Sequence, residues 1–337
     1  MRFLVIGAGA IGGSTAAFMT KAGYDVSVLC RSEATAETFR EKGMHISGVR
    51  GDMDIPLKAV CGTEKLEGKF DCCIVSTKAY DTIPAVQSAL PLLKEDGLVL
   101  VLQNGICVDD LLAAAGENRS ACGVTSFSST MISPTHMKIT GEGAFQLGMA
   151  AGPYDRRLEA LREALSAMVP TEIKSPILPY MYSKLIINSG ITCGGALTGQ
   201  LLGAMLRSSQ AREFFIGLVY EDMALAEKMG IKVPPFGGRL DYYKFISGNS
   251  RLDRLRRTLM IFVVGLKYKN LKSSSLTSLE RGKPTEVQVL NGWISKKAKE
   301  YGILTPINDR LVELIHQIEA GQRKSCPENI QEIMENI

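Results

Sequence analysis

The sequence predicts an α/β protein: a doubly wound, mostly parallel sheet in the first half, followed by an all-α second half. Three observations carry this. Residues 1–125 alternate short apolar runs with helical patterns, the signature of strands joined by crossover helices. The first apolar run, Phe3 to Ile6, leads into Gly7-x-Gly9-x-x-Gly12 and then into a helical pattern. Beyond Pro176 and Pro179 the apolar spacing becomes almost wholly helical.

Taken in order, strands are expected at 2–6, 25–30, 70–76, 98–102 and 121–125, with helices between them, one at 85–93. Residues 136–140 and 144–147 read as two short strands around Gly141-Glu142-Gly143, a hairpin closing the sheet edge. A helix at 156–168 and a last strand at 171–174 complete a first domain over residues 1–175. The second domain, 176–337, is expected to hold helices at 180–188, 208–229, 252–264 and 285–301. In the second of these, Phe215, Leu218, Val219 and Met223 share one face. The stretch 237–270, rich in Arg, Lys and Tyr, reads as a solvated helical excursion. No internal repeat or low-complexity segment is visible.

The glycines divide the work of a dinucleotide-binding turn. Gly7 permits the sharp turn off the strand, Gly9 lets the backbone approach a pyrophosphate, and Gly12 lets the helix pack closely. Ala8, Ala10 and Ile11 complete the segment that would wrap the phosphates, and the helix N-terminus offers its N–H groups and positive dipole end. The first domain is therefore Rossmann-type. In NAD-binding units an acidic residue near the end of the second strand holds the ribose 2′-hydroxyl. Cys30 occupies that place here and Arg31 follows. With no carboxylate to repel a 2′-phosphate and a guanidinium to pair with one, the sequence favours NADP(H).

Composition sets the bounds. The chain has 337 residues, with 22% charged, 45% hydrophobic and a net charge of +4. That is ordinary for a soluble two-domain enzyme. Both signs of charge are interspersed, so neither nucleic acid nor a membrane surface is an expected partner. The N-terminal apolar stretch reads as the first strand and not as a signal peptide, and the expected compartment is the cytoplasm. Eight cysteines are scattered, and the adjacent pair Cys72-Cys73 points to opposite faces of a strand. Without a paired Cys/His spacing, no metal is expected. The sequence leaves the oligomeric state open and is compatible with a homodimer.

A reductase needs a proton donor beside the carbonyl it reduces. His45, His136 and His316 do not fall at the ends of sheet strands, where ligands bind in such folds. Lys184 is the alternative. It lies four residues before Asn188, on one helix face among apolar and small residues, where desolvation would lower its pKa and ease proton donation. A surface lysine with an i,i+4 neighbour satisfies the same spacing. Glu286 follows Pro284 at an expected helix start, where a negative charge is also favourable for purely structural reasons.

These residues are part of a wider pattern. Besides the glycine turn, the chain carries Ser76-Thr77-Lys78-Ala79, Gln103-Asn104-Gly105, Lys184-x-x-x-Asn188, Pro284-Thr285-Glu286 leading to Asn291-Gly292, and Tyr301-Gly302-Ile303-Leu304-Thr305-Pro306-Ile307-Asn308. In this order and at these separations, over essentially its full length, the sequence resembles the ketopantoate reductase (2-dehydropantoate 2-reductase) family. The resemblance implies NADPH-dependent reduction of ketopantoate to pantoate, a step of pantothenate and coenzyme A biosynthesis, with the reaction between the two domains. It also implies roles. Lys184 would be the general acid on the keto oxygen, and Asn188 would hold polar groups of the substrate. Glu286 would bind a substrate hydroxyl or orient the lysine. Ser274 would contact the substrate carboxylate, with the register open among Ser273, Ser274 and Ser275. Lys78 and Asn104 would lie near the nicotinamide and the substrate.

Two departures from the family pattern bear on the substrate. Thr192 stands where a second substrate-binding asparagine is common, and Cys193-Gly194-Gly195 follows it. Ser275-Leu276-Thr277-Ser278 replaces a usual Met-x-Gln-Asp run. Exchanging an amide in a buried site can change substrate preference. A related reductase or opine-type dehydrogenase acting on another 2-oxo acid is thus the second reading. A non-catalytic NADP-binding regulatory protein is the third, which would have no need of Lys184, Asn188 and Glu286 together.

Overall fold

A computed structural model of the chain describes residues 1–335. The described chain divides into two compact units, residues 1–103 with 107–178, and residues 104–106 with the rest from 179 on.

The first unit contains strands β1 (Arg2–Ile6), β2 (Asp25–Cys30), β3 (Met44–Gly48), β4 (Met53–Ile55), β5 (Lys58–Cys61), β6 (Phe70–Val75), β7 (Leu93–Val101), β8 (Ser120–Thr125), β9 (Ser128–Ser133), β10 (His136–Gly141), β11 (Phe145–Met149) and β12 (Thr171–Ile173). Its helices are α1 (Ala10–Lys21), α2 (Glu33–Lys42), α3 (Ala79–Ala89), α4 (Val108–Ala115) and α5 (Arg157–Ser166). Among the described residues the strands form an eight-stranded sheet in the order β12-β11-β8-β7-β6-β1-β2-β5 and a four-stranded sheet in the order β4-β3-β10-β9. From β5 to β8 every neighbouring pair is parallel, and β11 joins antiparallel to β8. This is the doubly wound order expected from the alternation, and it reverses direction at β1. Phe3, Leu4 and Val5 are all completely buried, as are Cys72 and Cys73 on opposite faces of β6. Both faces of the central strands are covered, which is what continuous apolar runs require.

The edge differs from the expectation. Residues 136–147 do not form a hairpin. β10 pairs antiparallel with β9 and parallel with β3 in the smaller sheet, whereas β11 belongs to the main one. Met137 and Ile139 of β10 are buried and alternate with exposed Lys138 and Thr140, so the strand has one core face. The chain leaves it at Gly143, which passes so close to the backbone of Ser126 and Phe127 that a side chain would collide there. The helix expected at 85–93 is α3, which already starts at Ala79 and ends at Ala89, and Leu93 opens β7.

The second unit is helical: α6 (Leu178–Thr198), α7 (Leu202–Met205), α8 (Ser209–Lys228), α9 (Tyr242–Ile246), α10 (Arg251–Lys267), α11 (Ser274–Glu280), α12 (Asn291–Glu300), α13 (Pro306–Glu319) and α14 (Glu328–Glu335). The expected helix over 285–301 is interrupted. A 3₁₀ turn, Val287–Val289, precedes α12, with Leu290 in a non-helical conformation between them. Phe215, Leu218, Val219 and Met223 are buried on one face of α8, as their spacing demands. No helix among the described residues is long and apolar enough to cross a membrane.

Candidate active site

The dinucleotide turn is built at the point where the strand order reverses, the usual ligand site of doubly wound sheets. Gly7 leaves β1 with φ +101°, and a Cβ there would lie 2.8 Å from the Ser76 carbonyl group. Gly12, in the first turn of α1, would collide with the Gly7 carbonyl if it carried a side chain. Gly9 differs: nothing lies within 4 Å of the place its Cβ would occupy. Two glycines are thus needed for packing, and the third keeps a space open. Ala8, Ala10 and Ile11 line this segment part-exposed. α1 has no side-chain cap and no acidic residue in its first turn, so its N–H groups and dipole suit an anion. Lys78 is exposed at the N-cap of α3, next to the Ser76-Thr77 backbone against which Gly7 packs. An open cradle, uncapped amides and a nearby cation fit a dinucleotide pyrophosphate.

Arg31 follows the end of β2 with its side chain 81% exposed. Its guanidinium is paired with Asp81, in the first turn of α3. The expectation of a corner without a carboxylate therefore holds along β2 only. The carboxylate arrives from a residue fifty positions on, carried there by the β1–β6 adjacency.

In the second unit Lys184 lies on α6, with Met181, Tyr182, Ser183, Leu185 and Ile186 buried around it. Burial lowers its ammonium to about 8, and the negative charge of Glu286 pulls the other way. Asn188 and Thr192 follow at intervals of four on the same face, both part-buried. The orientation of this helix is fixed by polar contacts. Ser183 Oγ donates to the Pro234 carbonyl at 2.8 Å, and Tyr182 Oη to that of Asp222 at 2.6 Å. Ser189 Oγ donates to Asp222 Oδ2 at 2.9 Å, and Asn308 Nδ2 reaches Asp222 Oδ1 at 3.1 Å. Burial pushes the Asp222 carboxyl up to about 8 despite these donors. Asn291 in turn donates to Asn308 Oδ1 at 2.8 Å. A buried chain of side chains therefore ties the helix bearing Lys184 to the start of α12, five residues after Glu286.

Glu286 is 4% exposed and caps the 3₁₀ turn, not an α-helix. The segment that follows Asn104 reaches this turn from far back in the sequence. Ile106 N donates to the Val289 carbonyl at 3.0 Å, and Gly105, at φ +83°, sits so close to Val289 that only glycine fits. On the other side Glu319 of α13 accepts from both the backbone N–H and the hydroxyl of Thr285, each at 2.7 Å. Its second oxygen lies 2.8 Å from His316 Nδ1. Neither Asp222 nor Glu319 is legible in the sequence as part of the site, since Ser189 and Asn308, which hold Asp222, and Thr285, which Glu319 holds, lie tens of residues away. Glu319→Ala should leave the buried Thr285 donors unsatisfied and cost about 1–3 kcal/mol. Glu319→Gln, which retains the acceptor oxygen, should stay close to wild type. Thermal melts with steady-state kinetics of the two variants check this.

The serine run takes a definite register. Ser273 is the N-cap of α11, its Oγ accepting from Leu276 N at 3.1 Å, and Ser275 is buried. Ser274, part-exposed, starts the helix. α6 passes this end at Gly195, where a Cβ would lie 2.5 Å from Ser273 Oγ. Lys184, Asn188, Thr192 and the Ser273-Ser274 corner thus lie along one side of α6, and Gly105-Ile106, just after Asn104, packs with the turn that Glu286 begins.

Fold and site together define an oxidoreductase that works with a nicotinamide dinucleotide. The chain belongs to the ketopantoate reductase family: the model "Ketopantoate reductase PanE/ApbA" matches residues 3–152 and its C-terminal counterpart residues 176–319. The 2-dehydropantoate 2-reductase of Aquifex aeolicus is 27% identical over 319 residues, covering 94% of this chain and 96% of that one. Among solved structures, a D-mandelate dehydrogenase with NADH and anilino(oxo)acetate superposes with a TM-score of 0.81 at 22% identity, covering 95% of this chain and 99% of that one. A dimeric ketopantoate reductase from Staphylococcus aureus superposes with a TM-score of 0.74 at 16% identity, covering 96% and 100%. The reaction class is the reduction of a 2-oxo acid.

Proposed function

We propose that this enzyme reduces 2-dehydropantoate to pantoate with NADPH, in the cytoplasm, as a step of pantothenate biosynthesis, and that it works as a homodimer like the Staphylococcus aureus relative. The observation that carries the chemistry is Lys184, with its ammonium lowered to about 8 and Glu286 acting on it. The bound cofactor supplies the hydride. Lys184 Nζ gives its proton to the substrate's keto oxygen and stabilises the negative charge developing there. Water then returns a proton to the amine. Glu286 keeps the lysine charged in the resting enzyme and accepts a hydrogen bond from a substrate hydroxyl. Asn188, Thr192 and Ser274 hold the polar groups of the substrate, Ser274 its carboxylate, and Asn104 sits beside the carbonyl. The turn at Gly7 to Gly12 holds the pyrophosphate, with Lys78 nearby.

NADPH is favoured because Arg31 is exposed and its pair with Asp81 is a surface ion pair, worth about 1 kcal/mol at most, which a 2′-phosphate can displace. Arg31→Ala should raise the KM for NADPH about 10–100-fold, the loss of a charge-assisted contact of roughly 1.5–3 kcal/mol, with little change for NADH. Asp81→Ala should lower the KM for NADPH by up to about fivefold. The Asp81 carboxylate itself supports a second reading, in which it accepts from the ribose hydroxyls of NADH. An Asp81→Ala variant that weakens NADH, in an enzyme indifferent to the 2′-phosphate, would decide for it.

The substrate is tested by following NADPH oxidation with a panel of 2-oxo acids. Turnover of 2-dehydropantoate well above the others is the expected result. Preference for an aryl 2-oxo acid would move the enzyme toward the mandelate dehydrogenase relative, a reading that Thr192 and the Ser275-to-Ser278 run support. Tight NADPH binding without turnover of any member would leave a binding protein.

A further inference from the structure

Helix α10 is amphipathic the wrong way round. A surface helix normally buries its apolar stripe and shows its polar face to water. Here the inward side holds Arg257, Ile261 and Gly265, with Gly265 so close to α7 that a Cβ would lie 2.9 Å from that of Leu206. The outward side holds Leu252, Leu255, Leu259, Phe262 and Leu266, exposed by 36% to 76%. The helix is not loosely attached. Arg254 pairs with Glu213 of α8 at 3.0 Å, and Arg256 donates to the carbonyls of Lys244 and Ser247. Arg257 donates to those of Ser247 and Gly248. A capping box of Ser250 and Asp253 fixes its start. The polar groups fasten the helix and the apolar ones are left outside.

The outward residues recur at intervals of three and four, the seam of a helix that packs on another helix. With Val263 the exposed apolar surface on this side is on the order of 600 Å², at the upper end of the ~300–600 Å² of the largest patch on a typical monomer. It approaches the ~800 Å² that each partner gives to a standard interface. The seam is also nearly palindromic about Leu259: Leu252 and Leu266 lie seven residues to either side, Leu255 and Phe262 four and three. A two-fold contact brings each residue to its counterpart on the same surface of a second copy, and such a seam satisfies that requirement when two helices cross antiparallel. An interfacial membrane helix would instead flank its apolar face with basic side chains reaching for headgroups. Three of the arginines of α10 are committed to carbonyls or to Glu213, which argues for protein over lipid.

We infer that α10 is the dimer interface, two copies packing antiparallel through the seam centred on Leu259. This rests on the homodimer reading and goes further by assigning its surface. Sedimentation velocity of the full chain tests it. The wild type should sediment as a dimer at micromolar concentration. Leu259→Arg, which places two guanidinium groups at the two-fold axis, should weaken association on the order of 100-fold and give a monomer with an unchanged circular dichroism spectrum. Leu259→Cys should form a disulfide-linked dimer under mild oxidation by oxidised glutathione, reversed by dithiothreitol. A dimer that survives Leu259→Arg, with no Leu259→Cys cross-link, would overturn the assignment and leave the homodimer intact. A wild type that is monomeric at every concentration would overturn both. Cosedimentation of a monomeric wild type with phosphatidylcholine–phosphatidylserine vesicles, abolished by Leu259→Arg, would make the helix a membrane anchor instead.

Discussion

Lys184→Ala should retain cofactor binding and lose kcat by about 10²–10⁴-fold, the range of a general acid removed from its transition state. On the proposed mechanism the protonated ammonium is the competent form for reduction. Its group is lowered to about 8, so the rate should be level below that pH and fall tenfold per pH unit above it. The reverse oxidation, which needs the neutral amine as base, should rise over the same range. Burial and the charge of Glu286 oppose each other in setting this value. Glu286→Gln removes the negative charge that supports the ammonium and should move the falling limb to lower pH. Stopped-flow and steady-state pH profiles of the three proteins measure all of this. A Lys184→Ala enzyme with more than a tenth of the wild-type rate, or with the same limb near pH 8, would eliminate Lys184 as the donor.

The glycine turn should give the second large effect, and it separates folding from binding. Gly9 has φ −79° and ψ −167°, backbone values open to any residue, and open space where its Cβ would be. Gly9→Ala should therefore fold with little change in stability, while its methyl enters the pyrophosphate space and raises the Kd for NADPH by about 10–100-fold, roughly one or two lost hydrogen bonds to the phosphates. Gly7→Ala meets both a positive φ and the Ser76 backbone, and should destabilise the first unit by about 3 kcal/mol. Calorimetric melts and titrations with NADPH distinguish the two. If Gly9→Ala binds NADPH as well as the wild type, the turn does not hold the phosphates. The adjacent Gly12, packed against the Gly7 carbonyl, should behave like Gly7 and not like Gly9.

Much of this architecture is legible in the order of the amino acids. The doubly wound sheet follows from alternation, and the buried face of α8 from its spacing, because both depend on periodicity within a few residues. The helix read at 252–264 is legible too, and is observed over Arg251–Lys267, but not its inverted orientation, since spacing marks an apolar stripe without saying what it faces. The departures share another cause. Adjacency in the chain suggests a hairpin of β10 with β11, whereas the partners of β10 are β9 and β3, the latter just over ninety residues away. The helix expected at 285–301 is broken where the Val289 carbonyl accepts from Ile106 N and the Glu286 carbonyl accepts from Val289 N within the 3₁₀ turn, neither being an α-helical bond.

The sheet, the glycine turn and the place of Lys184 on a helix among apolar and small residues follow from the chain's own order of residues. They rest on local chemistry: glycine's missing Cβ, and side chains that repeat at the pitch of their element. Only folding brings Asp81 to Arg31 and packs Gly105-Ile106 with the turn that Glu286 begins. Folding likewise sets Asp222 and Glu319 where they hold the two acting segments in place. The reason is that a buried polar group takes whichever partner lies within hydrogen-bonding distance in the folded chain, and sequence separation does not enter that distance.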